Sequence, residues 1–203
     1  MDSGFYSKGN ITGTYLSWHL NDYMKDSTVI KSDGKGMKVT WFDNGNISSA
    51  GYVVNGTNKY GTWKYYHKNG QLSSKETYKN EVLRSKSYFD ENGEIVPDTT
   101  SRDRNAGFLG GKKAWDKYVQ SQLYFPQGYN IINGDKAVVV VSFTINEKGK
   151  VEEIEVTTPF YPEFDIIAKK AIIKSPDWLP CISHNRKVKY RVQQPIIFDQ
   201  SGY

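Results

Sequence analysis

A short phrase recurs four times in the first half of the chain and constrains its fold more than any other feature. It consists of an aromatic pair, one to three polar residues, glycine, a polar residue, then leucine or isoleucine. The copies are FYSKGNI (Phe5 to Ile11), WFDNGNI (Trp41 to Ile47), YYHKNGQL (Tyr65 to Leu72) and YFDENGEI (Tyr88 to Ile95). Glycines Gly45, Gly70 and Gly93 follow one another at intervals of 25 and 23 residues. Self-similarity at such a period marks an array of small units, none of which can bury its own apolar face and each of which needs its neighbours. The phrase ends at Ile95, and the remainder of the chain follows a different pattern.

Within the clearest copy, Trp63 and Tyr65 alternate with Thr62 and Lys64, the two-residue period of a half-buried strand. Asn69-Gly70 predicts a type I′ hairpin turn, which requires positive φ at both central residues. Asn44-Gly45 and Asn92-Gly93 repeat the signal, and Asn55-Gly56 and Asp33-Gly34 supply turns between the hairpins. Residues 4–96 are therefore expected to form an all-β array of stacked hairpins. The composition suits thin β units that bury flat rings, since hydrophobic residues make up 37% of the chain and aromatics 14%. The 203 residues leave room for a second small domain. Charge discriminates little: 27 basic and 22 acidic residues are interspersed, and no block of like charge marks a nucleic-acid tail.

The string GTWKYYHKNGQLSSKETYKN (Gly61 to Asn80) resembles the bacterial variant of the MORN repeat, the kind found in YwqK-type proteins. The resemblance runs over residues 36 to 95, with Phe5 to Ile11 as an outlying copy. It implies a β-hairpin array used for binding or scaffolding, and suggests an immunity or antitoxin-type interaction role as one alternative. The rings themselves admit three readings. Trp41, Trp63 and Tyr65 could stack a ligand, as in cell-surface glycan or cell-wall-binding repeats, although the Gly-Trp pair usual there is absent. Aromatics alternating with Lys38, Lys59, Lys64, Lys68, Lys75 and Lys79 could carry single-stranded nucleic acid; no nucleic-acid partner is expected. The favoured reading makes the rings the core of the stack and the lysines its solvated faces.

Residues 97–107 lack periodic apolar positions and are rich in Thr, Ser, Asp and Arg, as in an exposed inter-domain linker. Residues 108–199 then read as helix, two strands, helix, strand. Lys112 to Leu123 has helical apolar spacing, Lys136 to Ile145 is a β-branched run, and Lys150 to Thr157 alternates after the Asn146 to Gly149 turn. A second helix is expected from Pro162 to Lys174, ended by Ser175-Pro176. The last strand is Lys187 to Phe198. The expected fold is α+β, with two helices packed on a three-stranded antiparallel sheet.

This succession resembles the TonB C-terminal domain. The residues that carry the resemblance are Phe108 to Gly111 (FLGG), Phe125-Pro126, Val139 to Val151, Pro176 to Pro180 (PDWLP) and Tyr190 to Phe198. It implies a non-enzymatic periplasmic domain that binds an extended segment of an outer-membrane transporter by strand addition; contact with a membrane is expected only through an anchor outside this sequence. In β-augmentation the backbone groups of an unpaired edge supply affinity, and side-chain pockets supply selectivity. The candidate edge is Lys187, Val188, Lys189, Tyr190, Arg191, Val192, Gln193 and Gln194, stopping short of Pro195, which has no N–H to donate. Pairing of the same edge in a homodimer is the alternative use.

Cys181 and His184 place a thiol and an imidazole three residues apart, but no second cysteine exists and His19 and His67 lie in the repeat module. They lack the partners of a metal site or a nucleophile–base pair, so no metal, cofactor or catalytic residue is expected. A single cysteine leaves the redox compartment undetermined.

Overall fold

In the computed structural model, residues 5–7, 10–96, 103–132 and 134–200 are described, with side chains from Thr12 onward. The chain divides into two compact units, residues 1–102 together with 184–186, and residues 103–183 together with 187–203.

The first unit is a nine-stranded antiparallel sheet whose strands lie in sequence order. They are β1 (Phe5–Ser7), β2 (Asn10–Trp18), β3 (Met24–Ile30), β4 (Lys35–Trp41), β5 (Ile47–Val54), β6 (Asn58–Tyr66), β7 (Leu72–Lys79), β8 (Val82–Phe89) and β9 (Ile95–Val96). Every strand pairs only with its sequence neighbours, as expected for a repeat array. Ser17, Asp26, Thr40, Ser49, Tyr65, Ser74 and Tyr88 are aligned across seven strands by the register, so the alternation seen in one copy becomes a continuous face.

The turns correct the sequence expectation. At Asn69-Gly70, His67 N–H donates to Gln71 O (2.8 Å), Gly70 N–H donates to His67 O (2.9 Å), and only Gly70 has positive φ. This is a three-residue loop, a type I turn closed by a left-handed glycine, rather than the two-residue type I′ turn. Phe42 to Asn46 and Asp90 to Glu94 repeat the pattern. The asparagines are needed elsewhere: Asn44 Nδ2 donates to Lys68 O (3.0 Å) and Asn69 Nδ2 to Glu91 O (2.9 Å), tying each loop to the next. The same link joins Asn21 to Asp43 O (2.7 Å), which identifies a further copy at His19 to Tyr23 with Asp22 in the left-handed position. That copy has no glycine, so the recurring phrase did not include it. The outlying FYSKGNI copy covers β1 and the start of β2; its Lys8 and Gly9 lie outside the described residues. Turns of type I′ do occur at the opposite ends of the strands, at Asn55-Gly56 and Asn80-Glu81, with positive φ at both residues of each pair.

The second unit contains α1 (Gly111–Gln122), β10 (Lys136–Ile145), β11 (Val151–Thr158), α2 (Pro162–Ile173), β12 (Cys181–Ser183), β13 (Arg186–Val188, whose first residue belongs to the first unit) and β14 (Tyr190–Asp199). Its main sheet has the order β11-β10-β14 and is antiparallel throughout, with two helices in the same unit, as the sequence pattern implies. Ala137, Val139, Val141, Phe143 and Ile145 alternate along β10 and form one core with Phe164, Ile167, Ala168, Ala171 and Ile172 of α2. Trp178 closes the core against Phe108, Trp115 and Phe143, with ring centroids 5.3, 5.0 and 5.5 Å away. Its backbone N–H donates to Gly149 O (2.8 Å), and a Cβ at Gly149 would lie 2.1 Å from Trp178 O, which explains the glycine there. Two features differ from expectation. The expected last strand is interrupted, because Lys187 and Val188 pair with β12 in a separate two-stranded ribbon before β14 begins at Tyr190. Of the expected linker, residues 97–102 lie outside the described residues, and Arg104 and Gly107 form isolated bridges with Ile182 and Leu179.

Candidate functional site

Each unit presents one candidate site. In the second unit it is the edge formed by β14. Ten successive residues, from Tyr190 opposite Ile145 to Asp199 opposite Lys136, pair with β10 without a break in register. The other edge, β11, carries register shifts beside Val140/Val141 and Ser142/Thr144, and Glu153 sits at φ 53°. Such bulges twist an edge away from further pairing, whereas a regular strand remains a template. Along β14, Arg191, Gln193, Pro195 and Ile197 are exposed, and Ile196 and Phe198 are buried in the core. Arg191 lies across the sheet face opposite the helices: its Nε donates to Ser142 Oγ (2.7 Å) and its NH2 group to Glu155 Oε2 (3.2 Å). Lys189, just ahead of the strand, pairs with Glu152 Oε1 at 2.6 Å. That hydrogen bond holds the Glu152 carboxyl below its ordinary range and raises the Lys189 ammonium. Tyr190, Arg191, Val192, Gln193 and Gln194 thus share the edge; Lys187, Val188 and Lys189 precede it.

In the first unit the site is an aromatic and acidic cradle on the face that carries Tyr65. Trp63 and Tyr65 are 4% and 3% exposed, so neither offers a free ring face to a sugar or a base; both serve as core. The Trp63 indole covers Gly51, where a Cβ would lie 2.2 Å from the ring, and its Nε1–H donates to Tyr52 O (2.8 Å). Trp41 stays half-buried, and its carbonyl accepts from His19 Nε2 (3.0 Å). Beside the rings sits Glu76, a carboxylate only 2% exposed. It accepts from Tyr78 OH (2.6 Å) and contacts His184 Nδ1 (2.6 Å). Burial pushes its carboxyl up, but hydrogen bonds from His184 and Tyr78 and the charge of Lys59 outweigh this and hold it below the usual range. Burial and the Glu76 charge raise the Tyr65 and Tyr78 phenols, and burial lowers the Lys59 ammonium.

Three residues from a distant part of the sequence complete this unit. His184 and Asn185 are the two central residues of the turn between β12 and β13, both left-handed at φ 53° and 60°. The His184 ring stacks on Tyr65 with centroids 3.4 Å apart and planes at 6°. Asn185 Nδ2 donates to Phe89 O (2.7 Å). Arg186 NH1 donates to Ser48 O (2.5 Å) and Tyr66 O (2.8 Å), and its guanidinium lies over the Phe42 and Tyr65 rings at 5.2 and 5.6 Å. Burial pushes its pKa down to about 10. Sequence reasoning missed Glu76, Tyr78 and Arg186, and took Lys59 for a solvated face, whereas its ammonium lies over the Trp63 and Tyr65 rings. The legible signal was that Ser74, Glu76 and Tyr78 share one face of a strand, which puts a carboxylate among rings.

Cys181 is buried, and burial raises its thiol pKa. Among the described residues, no group of three or more His, Cys, Asp or Glu is placed to hold a metal ion. No helix among them is long and apolar enough to cross a membrane. Compared with known families, residues 121–199 match the model described as Gram-negative bacterial TonB protein C-terminal. That segment begins at the end of α1 and ends with β14, so the similarity to this family lies within the second unit. Comparison with curated proteins gives no match.

Proposed function

We propose that the second unit is a non-enzymatic, periplasm-facing binding module that captures an extended segment of a partner protein as a fourth strand along β14, the hairpin array serving as its scaffold. One observation carries this reading: β14 ends its sheet in unbroken ten-residue register with β10, while the opposite edge is bulged. Affinity then comes from backbone N–H and C=O groups, and selectivity from side chains that alternate along the edge. Pro195 offers no N–H, so pairing centres on Tyr190 to Gln194. The TonB-type match favours an outer-membrane transporter segment as the partner. The test titrates the 15N-labelled chain with a peptide from the N-terminal region of such a transporter, and with the same peptide N-methylated at alternate residues. Amide shifts confined to Tyr190 to Gln194 and lost on N-methylation are expected. Shifts that bypass β14, or that survive N-methylation, reject strand addition.

A further inference from the structure

The cradle on the first unit has the chemistry of a receptor for a basic turn. Three backbone carbonyls, Ser48 O, Tyr66 O and Phe89 O, point at cationic or amide donors. Two rings, Phe42 and Tyr65, face a guanidinium, and one buried carboxylate, Glu76, faces an imidazole. Planar guanidinium groups suit such a set, because they combine in-plane donors with a face that stacks on rings. A buried carboxylate is costly unless partnered; Tyr78 OH and Ser74 Oγ donate to Glu76 from its own strand (2.6 and 3.3 Å), and the place held by His184 adds a further donor at Oε1.

The chain's own His184, Asn185 and Arg186 fill this site, but imperfectly. Arg186 Nε is buried and has no hydrogen-bond acceptor among the described residues. His184 and Asn185 both occupy the left-handed region, which side chains other than glycine adopt at a cost. A ligand that stacks on Tyr65, pairs with Glu76 and satisfies every guanidinium N–H would fit better than the resident tripeptide.

We propose that this cradle binds an arginine-bearing tight turn of another protein, and that His184–Arg186 is an intramolecular stand-in which such a turn displaces. The inference is independent of strand addition at β14, since it rests on residues of the first unit alone. Selectivity follows from the parts: the carbonyl pair and rings take arginine in preference to lysine, and Glu76 takes a histidine or another donor two residues ahead of it.

The probe is a cyclised peptide of sequence ISHNRKV, added to the full chain while the Trp63 indole N–H and the Tyr65 and Tyr66 amides are followed by NMR. Wild-type chain is expected to bind it weakly, because the resident tripeptide competes. Arg186→Ala is expected to bind at least about tenfold more tightly, a factor corresponding to 1.4 kcal/mol, and adding Glu76→Gln to that background is expected to abolish the gain. A peptide with alanine for His and Arg is expected not to shift these signals. If Arg186→Ala fails to fold, Arg186→Lys keeps the charge without the planar fork and is expected to loosen the tripeptide and raise peptide affinity. Absence of shifts in every chain at millimolar peptide overturns the proposal, as does equal binding by wild-type and variant. Dimerisation of the wild-type chain without peptide binding also overturns it, by assigning the cradle to a second copy.

Discussion

The two units bury their residues in opposite ways. Among the described residues, the second unit gathers sixteen buried hydrophobic residues into one cluster, whereas the compact cluster of the first contains only Val53, Trp63 and Tyr65. Buried polar residues are distributed the other way: Thr28, Ser48, Ser49, His67, Ser73, Ser74 and Glu76 in the first unit, Ser142 and Thr144 in the second. A sheet covered by helices excludes water over a whole face, and burial there scales with apolar area. A hairpin array instead links neighbour to neighbour through loop asparagines, ring stacking and a few buried polar contacts. The first unit therefore depends on the directional satisfaction of polar groups, and the second on packing volume.

This contrast is tested most severely by Phe143→Ala. Phe143 is fully buried on β10 and meets Trp178, so its removal is expected to destabilise the second unit by about 3–5 kcal/mol, read as a fall in the denaturation midpoint followed by Trp178 fluorescence. A cost below about 1 kcal/mol would show that the core is not the continuous volume described. An intermediate effect is expected from acid. The Glu76 carboxyl titrates lower in the folded chain than in the unfolded one, so its contribution is fully present above about pH 4.3 and is lost as pH falls through the folded value. Denaturation midpoints of the first unit from about pH 6 to about pH 3 should show this fall, and Glu76→Gln should remove that part of the slope. An unchanged slope would deny the buried carboxylate its role. The smallest effect is expected from Asn69→Ala, which deletes the donor to Glu91 O and the acceptor of Gln71 N–H at an exposed loop. About 1 kcal/mol is expected, appearing in hydrogen exchange as faster opening of residues 90–94, with the Asn44–Lys68 link unaffected. Uniformly faster exchange would show that the array is cooperative rather than neighbour-coupled.

Much of this architecture could be read from the residues because both units obey simple periods. Alternation at two residues placed β6 and β11, a β-branched run placed β10, and apolar spacing along Phe164, Ile167, Ala168, Ala171 and Ile172 placed α2. The turn type was misread because Asn-Gly serves both a type I′ turn and a type I turn followed by a left-handed glycine. They differ in loop length and in the φ of the asparagine, and here the three-residue form goes with a hydrogen bond from Asn69 to the next loop, 22 residues away in sequence. The copy at His19 to Tyr23 stayed hidden because Asp22 takes the position that glycine marks elsewhere. At the second site, β14 was legible as the last strand, but its late start at Tyr190 depends on β12, which takes Lys187 and Val188 into another ribbon.

What the sequence by itself determined were the local choices: where strands and helices lie, where the repeats stop, and which apolar positions face inward. These depend on spacing over a few residues. Tertiary structure alone decided the rest. Whether Trp63 and Tyr65 are ligand platforms or core depends on what covers them, and the ring covering Tyr65 belongs to His184, more than a hundred residues later. Glu76 becomes a defined feature only when Tyr78, Lys59 and His184 converge on it. Burial and electrostatics sum over whatever lies nearby in space, and no spacing along the chain encodes that sum.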